Sequence, residues 1–238
     1  MRYIRTVIWF VYFWVYLLVL YPEMKKVERL EREGKTAEHD ALASKHVTKW
    51  ARSLLRLAGA KITIRGEEHI PEGAAVYMAN HQGNFDVPIV LGYLDKPKAM
   101  MSKIEVKKLP LIRSWMKHLN CIFVDRNNVR QSMNSLNDAA DLVKKGYSVC
   151  IFPEGTRSKG GPIGEFKSGG FRIATKTGAP IVPIRIEGSY KLMESNGYWI
   201  KPAEVTVTIL PPVEVSHLSK EETALLPERI RTMIEQVI

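Results

Sequence analysis

Val76-Tyr77-Met78-Ala79-Asn80-His81-Gln82-Gly83-Asn84-Phe85-Asp86 is the stretch around which the rest of the chain is organised. A short apolar run ends in amides, a histidine and a glycine, and five residues after His81 a carboxylate opens a new apolar segment. On a continuous helix, residues five apart point about 140° away from each other, and on a continuous strand they lie on opposite faces, so neither brings Asp86 to His81. A turn does. With a strand stopping near Ala79, a bend at Gly83 and Asp86 in the first turn of a helix, the carboxylate swings back onto the imidazole. The positive end of the helix dipole favours an ionised Asp86, which orients His81 and stabilises its cation. That is the layout of an oriented general base. The other reading is that Asn84 or Asp86 caps a helix and His81 is a loop histidine. These residues alone leave both open.

Outward from this stretch the texture alternates. Residues 61–65 read as a short strand, 74–79 as a second, 86–94 as a helix with Pro88 in its first turn, and 99–102 as a third strand. A helical segment over 104–119 is interrupted by Pro110, and 121–124 is apolar and β-like. Val129, Met133, Leu136, Ala140 and Val143 step at four and three, which predicts a helix stopping at Gly146. Strands over 147–152, 180–186 and 204–210, a helix over 170–177 and a last helix opened by Ser219 and Glu222 in capping-box spacing complete the pattern. Such alternation predicts an α/β fold: one layered domain over 59–238 with a mostly parallel sheet flanked by helices.

The chain has 238 residues, enough for one large domain or a domain with an appendage, and its net charge is +10. Before Lys61 there are eleven Lys/Arg against six Asp/Glu, so half of the charge excess lies in the first quarter. Residues 7–21, VIWFVYFWVYLLVLY, carry no charge. As a helix they extend about 22 Å, short of the roughly 30 Å hydrocarbon core. No small-x-small cleavage site follows, and Trp9, Tyr12, Trp14, Tyr16 and Tyr21 suit a membrane interface, with a marginal single span as the rival. Between residues 40 and 59, Val47, Trp50, Ala51, Leu54 and Ala58 form one stripe while Lys45, Lys49, Arg52 and Arg56 form another. Residues 1–58 are therefore expected to bind anionic membrane lipid through two helices, with a charged helix or linker over 28–38 between them. Trp9, Trp14, Lys45, Lys49, Trp50, Arg52 and Arg56 are the expected membrane contacts. The alternative is an apolar stripe packed on the protein's own core. Cys121 and Cys150 each lie in an apolar run, which favours reduced core thiols.

In parallel sheets, sites form where loops leave the carboxyl ends of strands. Three such exits here are polar: Asn80-His81 with Asp86, Asp125-Arg126, and Pro153-Glu154-Gly155-Thr156-Arg157-Ser158. The glycine-rich stretch 160–170 follows, where backbone N–H groups and Lys167 are placed to bind an anion. Arg126, Arg157 and Lys167 together suit a phosphate monoester.

Asn80 through Asp86 resembles the His-x4-Asp motif of glycerolipid acyltransferases, and Phe152-Pro153-Glu154-Gly155-Thr156-Arg157-Ser158 is similar to their FPEGTRS motif. Val124-Asp125-Arg126 resembles the block between these motifs, and Ile181-Val182-Pro183-Ile184 the block after them. The order and spacing fit the 1-acyl-sn-glycerol-3-phosphate (lysophosphatidate) acyltransferase family. The resemblance implies transfer of an acyl group from a thioester, on CoA or acyl-carrier protein, to the sn-2 hydroxyl of lysophosphatidic acid, giving phosphatidic acid. It implies His81 as base, Asp86 as its orienting partner, and Arg126, Glu154, Gly155, Thr156 and Arg157 around the acceptor and its phosphate. No cofactor is expected, nor a covalent enzyme intermediate, because the thioester is already activated. The Gly155 N–H is the expected oxyanion donor, and Glu154 is expected to hold Arg157 or a substrate hydroxyl.

Other readings keep the motifs but take glycerol 3-phosphate or another lysophospholipid as acceptor, or leave a catalytically idle membrane-binding protein. No Gly-x-Ser-x-Gly elbow and no His-Glu-x-x-His or Cys-x-x-Cys metal pattern is present, so neither serine nor zinc chemistry has support, and no metal-ligating residue is expected. No nucleic-acid partner is expected, because the basic residues sit beside apolar faces. The expected location is the cytoplasmic face of the cell membrane, interfacial rather than spanning.

Overall fold

The computed structural model describes residues 2–96 and 98–237. The chain runs α1 (Arg2–Val19), α2 (Tyr21–Arg32), α3 (Thr36–Ala58), β1 (Ala60–Arg65), β2 (Val76–Ala79), α4 (Asp86–Tyr93), β3 (Ala99–Lys103) and α5 (Pro110–His118). It continues with β4 (Ile122–Val124), α6 (Val129–Lys144), β5 (Val149–Ile151), α7 (Phe171–Thr177), β6 (Ile181–Glu187), β7 (Ala203–Ile209) and α8 (Lys220–Glu235). The seven strands form one sheet in the order β1-β7-β6-β2-β5-β3-β4. Every pairing is parallel except β6 with β7.

β2 lies inside the sheet, with Val76 opposite Val149 on one side and Ile181 on the other. Its four residues are all buried, as an apolar strand between two parallel neighbours must be when helices cover both faces. The two-residue period divides them: Val76 and Met78 join the core beneath α6, α7 and α8, whereas Tyr77 and Ala79 join the core beneath the N-terminal helices, α4 and α5. A three-layer α/β/α domain results. The capping box expected at Ser219 and Glu222 opens α8. The helix expected over 104–119 divides at Pro110 into a short 3₁₀ stretch and α5, because proline lacks the N–H needed inside a helix.

The N-terminal helices belong to the same core. The apolar stripe of α3 is covered by the protein, with Leu54 and Leu55 fully buried, each contributing about 1.5–3 kcal/mol. This is the alternative arrangement, not the membrane-facing one, and Lys45, Lys49, Arg52 and Arg56 remain on the exposed face. The buried Trp9 donates its indole N–H to the Leu54 carbonyl at 2.9 Å, and Thr6 Oγ1 accepts the Ile200 N–H at 2.8 Å. Trp9 is therefore an internal residue rather than a membrane contact, its indole N–H satisfied within the protein, and Trp50 is half-buried against the same core. The outer face of α1 differs. Ile4, Val11, Leu18 and Val19 are 66, 57, 60 and 69% exposed, and Trp14 is 39% exposed. Residues 28–38 are mostly the end of α2 and a tight turn into α3.

Candidate active site

β2 ends at Ala79, and the loop that follows is held on both sides. The Asn80 side chain imitates one more strand residue: its amide donates to the Ile186 carbonyl at 2.9 Å and its oxygen accepts the Ile186 N–H at 2.7 Å. Gln82 Oε1 accepts the Gly188 N–H at 2.8 Å. From the other direction, the Ser158 N–H donates to the His81 carbonyl at 2.8 Å and the Lys159 N–H to the Gln82 carbonyl at 3.0 Å. The two motifs, with His81 and Glu154 73 residues apart in the sequence, thus form one platform.

His81 Nδ1 lies 2.6 Å from Asp86 Oδ2. The same oxygen accepts the backbone N–H groups of Gln82 at 2.6 Å and Gly83 at 2.8 Å. Asp86 is the first residue of α4 and fully buried, so its charge is compensated by backbone donors, the helix dipole and the imidazole. It does not cap the helix: the N-cap position is Phe85, with no side-chain capping bond. Because Nδ1–H donates to Asp86, the Nε2 lone pair of His81 is free to accept a proton. The ring stacks on Phe152 with centroids 4.2 Å apart and planes 18° from parallel, which fixes its orientation from the strand β5 side.

Glu154 departs from expectation. Its two oxygens accept the His81 N–H at 2.6 Å and the Gly164 N–H at 2.9 Å, so it ties the His81 loop to the glycine-rich loop from behind. Burial raises its pKa above the ordinary glutamate value, against the opposing pull of those two donors. A buried carboxylate takes whatever donors surround it, and here these are backbone groups rather than Arg157 or a substrate hydroxyl. Arg157 is held instead by Asn84 Oδ1 at 2.5 Å and Glu194 Oε1 at 3.4 Å. Glu194 also accepts the Asn84 N–H at 2.7 Å. Nothing in the sequence marked Glu194, which lies in an irregular segment beyond β6.

Gly155 takes a positive φ of 71°. Its N–H is committed to the Phe152 carbonyl at 3.0 Å, so in this conformation it is not the oxyanion donor expected of it; the tight turn that exposes Thr156 and Arg157 consumes it. Its carbonyl accepts from the Arg126 guanidinium, and a Cβ at this glycine would stand 3.2 Å from Lys167 Nζ. The Lys167 N–H returns to the Pro153 carbonyl at 3.0 Å. The glycine-rich loop therefore packs against the third polar exit.

His81, Arg126, Gly155, Thr156, Arg157 and Lys167 all line one cavity of about 1120 Å³. Asp86 and Glu154 stand behind it. The cavity continues between α1, α3 and α5, where Trp9, Phe13, Leu17, Trp50 and Trp115 give it apolar walls. It is amphipathic: a cationic mouth with one oriented imidazole opens into a chamber fit for hydrocarbon.

A sheet of this topology with an aspartate-held histidine at the end of β2 and cations at the neighbouring exits sets an oriented general base beside an anion site. The Acyltransferase family model matches residues 61–187, and the chain belongs to that family. A Salmonella typhimurium protein named 1-acyl-sn-glycerol-3-phosphate acyltransferase is 30% identical over 82% of this chain and 80% of its own length. A chloroplast protein of the same name from Arabidopsis thaliana is 38% identical over 66% of this chain and 44% of its own. The chain spans about half the length of the first curated relatives it matches. The crystal structure of the 1-acyl-sn-glycerophosphate acyltransferase PlsC from Thermotoga maritima superposes with a TM-score of 0.81 at 27% identity, covering 99% of this chain and 95% of that one.

Proposed function

We propose that the protein transfers a fatty acyl group from a thioester donor to the sn-2 hydroxyl of 1-acyl-glycerol 3-phosphate, forming phosphatidic acid. The observation that carries this reading is the His81–Asp86 pair, 2.6 Å apart, at the junction of a cationic mouth and an apolar chamber. The names of the relatives support it. His81 Nε2 takes the hydroxyl proton as the oxygen attacks the thioester carbonyl, a contribution of about 10²- to 10⁴-fold. The tetrahedral intermediate then expels the thiolate, which recovers the proton from His81, and the ester is complete. Asp86 holds the imidazole in the required tautomer and stabilises its cation. Arg157, Arg126 and Lys167 bind the acceptor's phosphate.

The donor is an acyl thioester on CoA or on acyl-carrier protein, and no cofactor enters the reaction. The protein works at the cytoplasmic face of the membrane, with the exposed apolar face of α1 seated in one leaflet among anionic lipids and the basic face of α3 against their headgroups. This interfacial arrangement brings the cavity to its lipid substrates without a spanning segment. Thiol release from acyl-CoA and acyl-carrier protein in mixed micelles, with lysophosphatidate, glycerol 3-phosphate and other lysophospholipids as acceptors, tests the assignment. Turnover with lysophosphatidate above the others is expected. Turnover confined to another acceptor, or none with any, overturns it.

A further inference from the structure

On the helical side of the domain, outside the residues lining the cavity, three ligand-type side chains converge that the proposed acyl transfer does not use. His39 Nε2 lies 3.1 Å from His118 Nδ1, and His118 Nδ1 lies 3.6 Å from Glu31 Oε2. All three donor atoms fall within 4.8 Å of one another. They come from three helices, α2, α3 and α5. We propose that Glu31, His39 and His118 form a divalent-cation site of the zinc class, a clasp joining the α2–α3 hairpin to α5.

The geometry suits such an ion. Tetrahedral ligands at about 2.0–2.1 Å from zinc stand about 3.3–3.4 Å apart; the two separations at His118 bracket that span, and the third, from His39 to Glu31, lies within 4.8 Å. The imidazole planes are 64° apart, so the rings meet nitrogen to nitrogen rather than face to face. His39 carries the supporting partner that metal-binding histidines use: its Nδ1 lies 2.8 Å from Asp40 Oδ1, and Asp40 Oδ2 accepts the Tyr147 hydroxyl at 2.7 Å. That bond puts the His39 proton on Nδ1 and leaves the Nε2 lone pair facing the cluster. Both histidines are buried, whereas Glu31 sits at the exposed rim, which gives the ion a path in and leaves the fourth position to water. Two imidazoles and one carboxylate select zinc, cobalt or nickel over magnesium and calcium.

The rival arrangement is a plain hydrogen bond in which His118 Nδ1–H donates to His39 Nε2, with Glu31 Oε1 answering Lys117 Nζ at 3.5 Å. It pairs the two facing ring nitrogens with no ion. The two arrangements differ in what they predict. The clasp has a structural consequence, since Trp115 and Leu119 line the cavity beside His118: metal binding stiffens the wall of the apolar chamber.

The test is a titration of the full chain, tag-free, chelator-stripped and in detergent micelles, with zinc by calorimetry and with cobalt by visible absorption. One equivalent is expected to bind with micromolar affinity or tighter, with the absorption of tetrahedral cobalt and a melting temperature that goes on rising with the logarithm of free zinc once the site is filled. Glu31→Gln changes an exposed side chain and is expected to fold normally while weakening zinc at least tenfold. Asp40→Asn is expected to weaken it roughly 10- to 100-fold, and His118→Gln to abolish the cobalt spectrum. His81→Ala keeps the full titration. Circular dichroism reports folding of each variant. Absence of uptake in the unsubstituted chain at micromolar zinc overturns the site, as does uptake that survives both Glu31→Gln and His118→Gln.

Discussion

Glu194 stands behind Arg157, carboxylate Oε1 to guanidinium Nη1 at 3.4 Å, and the same oxygen accepts the Asn84 N–H at 2.7 Å. The carboxylate is fully buried while the guanidinium side chain is 31% exposed, so a buried anion aims a cation outward at the mouth of the cavity. Glu194→Gln keeps the shape and the Asn84 acceptor but removes the charge. The KM for the phosphorylated acceptor is expected to rise roughly tenfold or more, with a smaller change in kcat, because a positioning group has been loosened while the base is untouched. A fall in kcat with unchanged KM would contradict this role. Gly83→Ala probes the same contact from the other side, because its Cβ would meet the Glu194 carboxylate; reduced stability and activity together are expected.

The His81–Asp86 pair predicts a different signature. His81→Ala removes the base and is expected to lower kcat by roughly 10²- to 10⁴-fold with acceptor KM little changed. Asp86→Asn leaves a neutral group that no longer fixes the tautomer, and its buried amide faces the Gln82 and Gly83 N–H groups. Loss of activity there is expected to come with loss of stability, about 1–3 kcal/mol by urea denaturation. Full activity in either variant would remove the acid–base reading.

Much of this site was legible because its chemistry is sequence-local. The five-residue interval between His81 and Asp86 permits contact only through a turn, and the turn is present. The strand and helix alternation was readable for the same reason, since a period of two or of three and four survives whatever the tertiary contacts. What the sequence could not show is how loops pair across the sheet. Glu154 reads as a substrate-site acid until its backbone donors from His81 and Gly164 are seen, and Glu194 has no local signature. Amphipathicity misled in one respect: the stripe of α3 looks the same whether it faces lipid or the protein, and α4 covers it here. The Glu31, His39 and His118 cluster has no motif spacing at all.

The two faces of α1 separate folding from membrane association. Trp9→Phe removes the donor to the Leu54 carbonyl and is expected to destabilise the fold by about 1 kcal/mol. Joint replacement of Ile4, Val11 and Leu18 by serine alters only exposed positions. It is expected to leave the melting temperature nearly unchanged while lowering co-sedimentation with anionic vesicles at least tenfold. Deletion of residues 1–58 is a poorer test, because it uncovers the core beneath α3. Retained vesicle binding in the triple variant would move the membrane contact elsewhere, with the exposed Lys45 and Lys49 on α3 as the next surface to substitute.

Glu154 supplies a pH dependence whose sign is fixed by burial. Its folded-state pKa lies above the ordinary value, so between the two values the native chain holds a proton that the unfolded chain has released. Stability therefore falls as pH rises through that window. Below it both states are protonated at this group and the penalty is absent; above it both are ionised and the penalty is fully present. Glu154→Gln has no such titration. The difference in urea midpoint between the two proteins is expected to shift with pH across the window, the glutamate form losing ground to the glutamine form as pH rises. The glutamine accepts one of the two backbone N–H groups and presents its own amide to the other, so it is also expected to lower acyl transfer by disturbing the His81 loop. Parallel stability curves across the acidic range would show that the two backbone donors outweigh burial and that the carboxylate ionises normally in the folded chain.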